Sequence, residues 1–185
     1  MNRRIFIAIN LPESFKIKLA KFQSKWPDLP AKWTKKENLH ITLVFLGYVQ
    51  DDEIPEILRR TEEIVKKHNP FQLNFNKVCY GPPKKALRMV WAMGEKSEEL
   101  RDLQNDLENS LSNLSFKKEN RSHSSHITLA RIRQWEFKQM ELEERPQIEE
   151  LIDLSFEVNS IELMESQLKR TGAEYMVLQS IPLSS

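Results

Sequence analysis

Apolar and polar residues alternate over several short segments of this chain, which is the pattern of half-buried β-strands. In other segments apolar residues recur every three or four positions, as in amphipathic helices, most clearly in the leucines of residues 97–114. Helices are also predicted at residues 12–26, 54–67 and, interrupted at Pro146, 135–151. Strands are predicted at residues 5–9, 32–34, 40–46, 71–76, 87–93, 156–163 and 175–178, the last two flanking a turn at Thr171 and Gly172.

The letters His-Ile-Thr-Leu occur twice, at residues 40–43 and 126–129, each at the head of a predicted strand. Because side chains alternate faces along a strand, His40 and Thr42 share one face, as do His126 and Thr128. A single copy is more often a structural pair than a catalyst. Two copies in opposite halves of the 185-residue chain indicate one shared site, where two imidazoles face one substrate for acid/base chemistry.

The mixture of strands and helices predicts an α+β fold. Since a strand, helix and strand theme recurs in both halves, we expect two pseudo-symmetric lobes with mostly antiparallel sheets facing a central cleft and helices on the outside. The length fits a single bilobal domain over residues 1–185, with one His-x-Thr motif in each lobe.

Charge and cysteine content narrow the class of ligand and the compartment. With 28 basic and 27 acidic residues, a long track along nucleic-acid backbone is disfavoured, whereas a local basic cleft for a short or terminal phosphate is allowed. Cys79 is the single cysteine, so an intrachain disulfide and a thiolate cluster are excluded. We expect a cytoplasmic protein without a membrane partner, since no apolar run is long enough to cross a bilayer.

The paired motifs resemble those of the two-histidine phosphoesterase superfamily, whose members carry His-x-Thr or His-x-Ser in each of two lobes. Within it, the chain is most similar to the RNA 2',3'-cyclic phosphodiesterases, also called 2'-5' RNA ligases. Ser125 and His123 depart from this pattern, which commonly has a proline and an aromatic residue there. The similarity is carried by residues 4–9, 11–12, 33, 37–47, 88–91, 126–131, 165–166, 172, 175 and 178.

This resemblance implies a hydrolase that opens the 2',3'-cyclic phosphodiester at RNA ends to a 2'-phosphomonoester, with some capacity for the reverse 2'-5' ligation. It implies His40 as proton donor to the leaving 3' oxygen and His126 as the base that activates water; the residues alone do not assign the two roles. Imidazoles titrate near ~6.5, so one neutral and one protonated ring coexist near neutral pH. Thr42 and Thr128 supply hydroxyl donors for the phosphate.

The expected partners are RNA ends or short oligonucleotides carrying a 2',3'-cyclic phosphate, bound by a monomer without a cofactor. Two alternatives stay open. One is a phosphodiesterase of small cyclic nucleotides or of ADP-ribose cyclic phosphate, and the other is a non-catalytic protein that binds RNA ends.

Arg131 is a third candidate for binding the phosphate because of its charge. It follows His126 by five residues, and this odd offset places it on the other face of a regular strand. It reaches the cleft only if the strand bends; otherwise it pairs with a carboxylate behind the sheet. Lys85 and Arg88 are nucleotide contacts or solvated residues of a turn.

We expect no metal site. His123 and His126 are three residues apart, so a strand directs them to opposite faces, and no cysteine accompanies them. His68 is expected to be a cap or a surface residue. Four aromatic residues are candidates for stacking on a base, although core packing explains Trp91 and Phe45 as well: Trp33, Phe45, Tyr48 and Trp91.

Overall fold

A computed structural model of the chain describes residues 2–83, 86–112, 114, 125–170 and 172–184. The strands are β1 (Asn2–Asn10), β2 (Ala31–Trp33), β3 (His40–Gln50), β4 (Phe71–Gly81), β5 (Met89–Gly94), β6 (His126–Ile132), β7 (Glu149–Val158), β8 (Ser160–Lys169) and β9 (Gly172–Pro182). The helices are α1 (Glu13–Ala20), α2 (Ile54–Val65), α3 (Glu98–Leu111) and α4 (Gln134–Gln139), with 3₁₀ turns at Lys21–Ser24, Lys36–Asn38 and Leu142–Glu144. The predicted α+β class is confirmed.

The strands form two antiparallel sheets, a four-stranded sheet in the order β3-β1-β8-β9 and a five-stranded sheet in the order β2-β6-β5-β4-β7. The sheets do not correspond to the two halves of the chain, since β2 and β4 join the later strands and β8 and β9 join the earlier ones. The two motif strands, β3 and β6, contact each other across the sheets.

One continuous apolar cluster joins both sheets to the helices. The leucines of α3 point into this cluster, and Ser97 caps the helix by accepting a hydrogen bond from Leu100 N at 3.1 Å. Ile41 and Ile127 belong to the same cluster. Because they alternate with the motif histidines and threonines, the helices cover the sheet faces opposite those four side chains.

The sequence-based boundaries are wrong in one region. Residues 135–151 were predicted as an interrupted helix, but α4 ends at Gln139 and β7 begins at Glu149. The predicted strand 156–163 is in fact the end of β7 and the start of β8. Ile152, Leu154, Phe156 and Val158 alternate with more exposed residues along β7, and this two-residue period is that of a strand.

None of the helices in the described ranges is both long and apolar enough to span a membrane.

Candidate active site

The four motif side chains lie at the contact between the two sheets. On β3, His40 and Thr42 are partly exposed and alternate with buried Ile41 and Leu43. On β6 the same alternation leaves His126 and Thr128 partly exposed. Each sheet therefore presents one imidazole and one hydroxyl at the contact between β3 and β6, as the repeated motif predicts.

Each motif is followed by a β-bulge at the same position. In the β5–β6 pair, Val90 lies opposite Ala130 and Trp91 opposite Thr128, so Leu129 is an extra residue. In the β1–β3 pair, the same shift makes Leu43 the extra residue. A bulge restarts the alternation of side chains one residue later, so the residue five positions after each histidine joins the face of that histidine.

The bulge resolves the predicted conflict over Arg131. Leu129 and Ala130 are both buried, and Arg131 is exposed on the face of His126 and Thr128. Its Nη1 donates to the Met89 Sδ at 3.7 Å, and the Thr128 hydroxyl donates to the same sulfur at 3.9 Å. Among the described residues no carboxylate pairs with Arg131, so the alternative of an ion pair behind the sheet is not observed.

The corresponding position of the first motif is Phe45, which is 39% exposed. Its ring contacts Phe6 at a centroid distance of 6.0 Å. Phe6 belongs to a small second apolar cluster on this face of the four-stranded sheet, together with Ala8, Met164 and the partly buried Tyr175. The two sides of the site thus differ, with a guanidinium beside His126 and an apolar, aromatic surface beside His40.

Two hydrogen bonds fix the His40 ring. Its Nδ1 lies 2.7 Å from the Asn38 carbonyl oxygen, which only accepts, so Nδ1 carries a proton. Its Nε2 lies 3.0 Å from the Thr42 Oγ1. Phe6 and Tyr175 pack against the ring, each at a centroid distance of 5.1 Å. The nitrogen of His40 that gains and loses a proton is therefore Nε2, on the side of Thr42.

The acceptor of that Nδ1 proton is itself held in place. Lys16, which is 6% exposed, donates from Nζ to the Glu37 carbonyl at 3.1 Å, and the Asn38 side chain donates to the Ala173 carbonyl at 2.7 Å. These bonds tie the turn before β3 to α1 and to β9. They fix the carbonyl that orients His40.

Burial lowers the pKa of His40 below its ordinary value of 6.5. The positive charges of Lys16, Arg131 and His126 act in the same direction, and the hydrogen bond to the Asn38 carbonyl opposes them. Arg131 and the second histidine thus act electrostatically on the first, as expected of groups in one cleft.

Trp91 supports the second histidine. Its ring stacks on His126 at a centroid distance of 4.1 Å and an angle of 28°, and its Nε1–H donates to the Met89 Sδ at 3.4 Å. Trp91 is 7% exposed, so it is a core residue as well as a neighbour of His126. A Cβ at Gly81 would lie 2.2 Å from the indole, so this packing requires glycine there.

Other sequence candidates lie apart from these groups or are not described. Trp33 stacks on Trp26, and Tyr48 is 71% exposed near the far end of β3. His68, expected as a cap or a surface residue, bonds the Asp106 carboxylate through its Nε2 at 2.9 Å. Lys85 and His123 fall outside the described residues. Within the described residues no group of histidine, cysteine, aspartate and glutamate side chains is arranged to hold a metal ion.

Met89, Lys16 and Tyr175 are neighbours of the candidate catalytic groups that the sequence did not predict. Met89 had no chemical signal, because a thioether is ordinarily a core side chain. Lys16 lies on a helix that also carries other charged residues, so nothing in the sequence indicates that it is buried. Tyr175 is one of the residues that carry the family resemblance, but its sequence context gives it no role at the site.

The sequence model of the family described as LigT like phosphoesterase matches this chain twice in succession, over residues 9–91 and 92–175. The chain belongs to the LigT-like phosphoesterase family. Each match contains one His-x-Thr motif, as expected for a two-histidine phosphoesterase. Members of this family are hydrolases, and this chain is an enzyme of that class.

Curated relatives agree with this membership. A Methanocaldococcus jannaschii protein named RNA 2',3'-cyclic phosphodiesterase is 33% identical over 95% of this chain and 98% of its own length. A Thermotoga maritima protein of the same name is 31% identical over 95% of this chain and 92% of its own length.

Solved structures of LigT-like proteins share the fold. The Thermus thermophilus protein TT0787 superposes with a TM-score of 0.83 at 27% identity, over 97% of both chains. LigT of Escherichia coli, solved in complex with 3'-AMP, superposes with a TM-score of 0.77 at 24% identity, over 100% of both chains.

Proposed function

We propose that this protein opens the 2',3'-cyclic phosphodiester at RNA ends and leaves a 2'-phosphomonoester, without a metal ion. The observation that carries the proposal is the pairing of His40–Thr42 with His126–Thr128 at the contact of two sheets, with Arg131 brought to the same face by the bulge at Leu129. The names of the curated relatives support the substrate class.

In the proposed mechanism, His126 takes a proton from the water that attacks phosphorus, and His40 protonates the departing 3' oxygen from Nε2. The backbone carbonyl at Nδ1 holds the ring of His40 in orientation, and its lowered pKa makes the imidazolium a stronger acid. Thr42, Thr128 and Arg131 donate to the non-bridging oxygens, where charge develops. The bond from phosphorus to the 3' oxygen breaks as the bond to water oxygen forms.

The difference between the two sides of the site supports a nucleotide as substrate. Arg131 offers a planar cation for phosphate on the His126 side. Phe45, at the matching position on the His40 side, is partly exposed above Phe6. An aromatic ring of this kind stacks on a nucleobase without strong preference for its identity. The same groups would serve reversible 2'-5' ligation, because the acid and the base exchange roles in the reverse direction.

The test is incubation of EDTA-treated protein with a short oligoribonucleotide ending in 2',3'-cyclic phosphate, with separation of the 2'- and 3'-phosphate products. We expect the 2'-phosphate from the wild type, and losses on the order of 10² to 10⁴ in rate for His40→Ala and His126→Ala. His68→Ala is the matched control, since this histidine lies elsewhere and bonds Asp106. Its rate should equal that of the wild type.

Three results would redirect the proposal. Formation of the 3'-phosphate would contradict the assigned leaving group. Turnover of small cyclic nucleotides or ADP-ribose cyclic phosphate, with RNA ends left intact, would favour a small-molecule phosphodiesterase. RNA-end binding without any turnover would favour a protein that keeps the fold for recognition alone.

A further inference from the structure

A second basic residue lies directly opposite Arg131. In the pairing of β2 with β6, Lys32 is the cross-strand partner of Arg131, so the two side chains share one face of the five-stranded sheet. Arg131 shares that face with His126 and Thr128. Lys32 therefore extends the positive charge of the candidate site by one strand, toward the edge of the sheet.

In the part of the chain that the structure describes, no acidic side chain forms an ion pair with either of these like charges, Lys32 and Arg131. Eleven pairs of another lysine or arginine with a carboxylate are formed there. Like charges directly opposite one another destabilise a strand pair. The arrangement suits a ligand that brings more than one negative charge.

The ammonium of Lys32 also lies between the two sheets. A Cβ built on Gly172, the first residue of β9, would lie 2.9 Å from Lys32 Nζ. The side chain thus reaches from β2 of one sheet to the β8–β9 hairpin of the other. That hairpin also carries Ala173, which accepts from Asn38, and Tyr175, which packs against His40.

The topology gives an RNA chain a route past this residue. β2 has three residues and is the edge of its sheet, so only Ala31–Trp33 separates the motif strand β6 from that edge. When the cyclic phosphate of the terminal nucleotide lies at Arg131, the rest of the RNA chain must leave the cleft across one of its edges. An internucleotide phosphate leaving over β2 passes Lys32.

We propose that Lys32 binds the first internucleotide phosphate of the substrate and so makes the enzyme favour an RNA end over a mononucleotide. This inference rests on the proposed function and deepens it. Lys32 would determine the preference for an RNA end, whereas the hydrolysis itself is proposed for His40 and His126.

The test compares wild type and Lys32→Gln on adenosine 2',3'-cyclic phosphate and on the diadenylate with the same cyclic end. The ratio of kcat/KM for the diadenylate to kcat/KM for the mononucleotide should be about tenfold lower in the variant than in the wild type. This is the size expected for one lost charge-assisted contact. The logarithm of kcat/KM for the diadenylate should also fall less steeply with the logarithm of salt concentration, by about 0.7 in slope. Lys66→Gln is the matched control, an exposed lysine at the end of α2.

A diadenylate with an uncharged methylphosphonate linkage identifies the contact. If Lys32 binds that phosphate, the wild type loses about tenfold on this substrate, and Lys32→Gln loses nothing further. Lys32→Arg should keep the preference for the diadenylate. The inference would be overturned if a folded Lys32→Gln kept the wild-type preference for the diadenylate and the wild-type salt slope. It would also be overturned if Lys32→Gln were less active than the wild type on the methylphosphonate substrate. If the wild type opens neither cyclic end, it is the proposed function that fails.

Discussion

Replacing Arg131 with glutamine should weaken catalysis without weakening the fold. The structure gives the guanidinium a single weak acceptor in the described residues, the Met89 sulfur at 3.7 Å, and places Lys32 directly opposite. A hydrogen bond from a charged donor is worth about 1.5–3 kcal/mol, so its loss to a phosphate oxygen should lower kcat/KM by about 10- to 150-fold. Cross-strand pairs contribute about 0.2–1 kcal/mol, here unfavourably. Removing one charge should therefore raise Tm by up to about 2–4 °C.

The assay is steady-state kinetics on an oligoribonucleotide with a 2',3'-cyclic end, beside thermal unfolding of the same samples. Arg133→Gln is the control, because Arg133 is 59% exposed and pairs with Glu136 at 3.4 Å. A surface pair of this kind contributes little, so both activity and Tm of the control should stay near those of the wild type. An Arg131→Gln enzyme with wild-type kcat/KM would refute the placement of Arg131 at the phosphate, and a Tm well below that of the control would refute the unfavourable pairing of Arg131 with Lys32.

Substitutions at four other positions test the remaining residues of the site. Thr42→Val and Thr128→Val each remove one hydroxyl donor at nearly constant volume and should lower kcat by about 10²–10³; an unchanged kcat in rapid-quench assays would mean that the hydroxyls do not contact the phosphate. Trp91→Ala should lower the free energy of unfolding in urea by about 3–5 kcal/mol and impair turnover, whereas Trp91→Phe should keep a ring against His126 and most activity; equal turnover in both would show that stacking does not position the imidazole. The pKa of His40 lies below 6.5 in the folded state. Just below that pH the unfolded chain therefore binds more protons than the folded chain, and the free energy of unfolding decreases as the pH is lowered. His40→Gln should weaken this dependence at pH values just below 6.5 in thermal unfolding, and an equal slope in both proteins would contradict the lowered pKa of His40.

The sequence was sufficient for the elements whose pattern is local. The motif strands and α3 follow from two-residue alternation and from leucines at helical spacing, and the two identical motifs predict the candidate site at which β3 and β6 meet. The first part of β7 was predicted as helix because charged residues near Ile152 obscured the alternation. A strand at the edge of a sheet tolerates such residues on its exposed face.

Arg131 faces the site because of the β-bulge at Leu129, which a regular alternation of side chains does not predict. The bulge leaves one trace in the sequence, two consecutive buried residues, Leu129 and Ala130, where alternation requires one polar residue. In the first motif the corresponding residues are Leu43, which is buried, and Val44, which is partly buried. The pairing of Lys32 with Arg131 had no such trace, since a three-residue strand carries too little pattern to predict its partner.

The division of roles between His40 and His126 is tested most directly with a cyclic ester in which sulfur replaces the leaving 3' oxygen. A thiolate departs without protonation, so a general acid is dispensable for this substrate whereas a general base is not. We expect His40→Ala to recover to within about tenfold of the wild type, while His126→Ala remains lower by about 10² to 10⁴. Recovery of His126→Ala instead, or an equal loss in both variants, would contradict the assignment of His40 as acid and His126 as base.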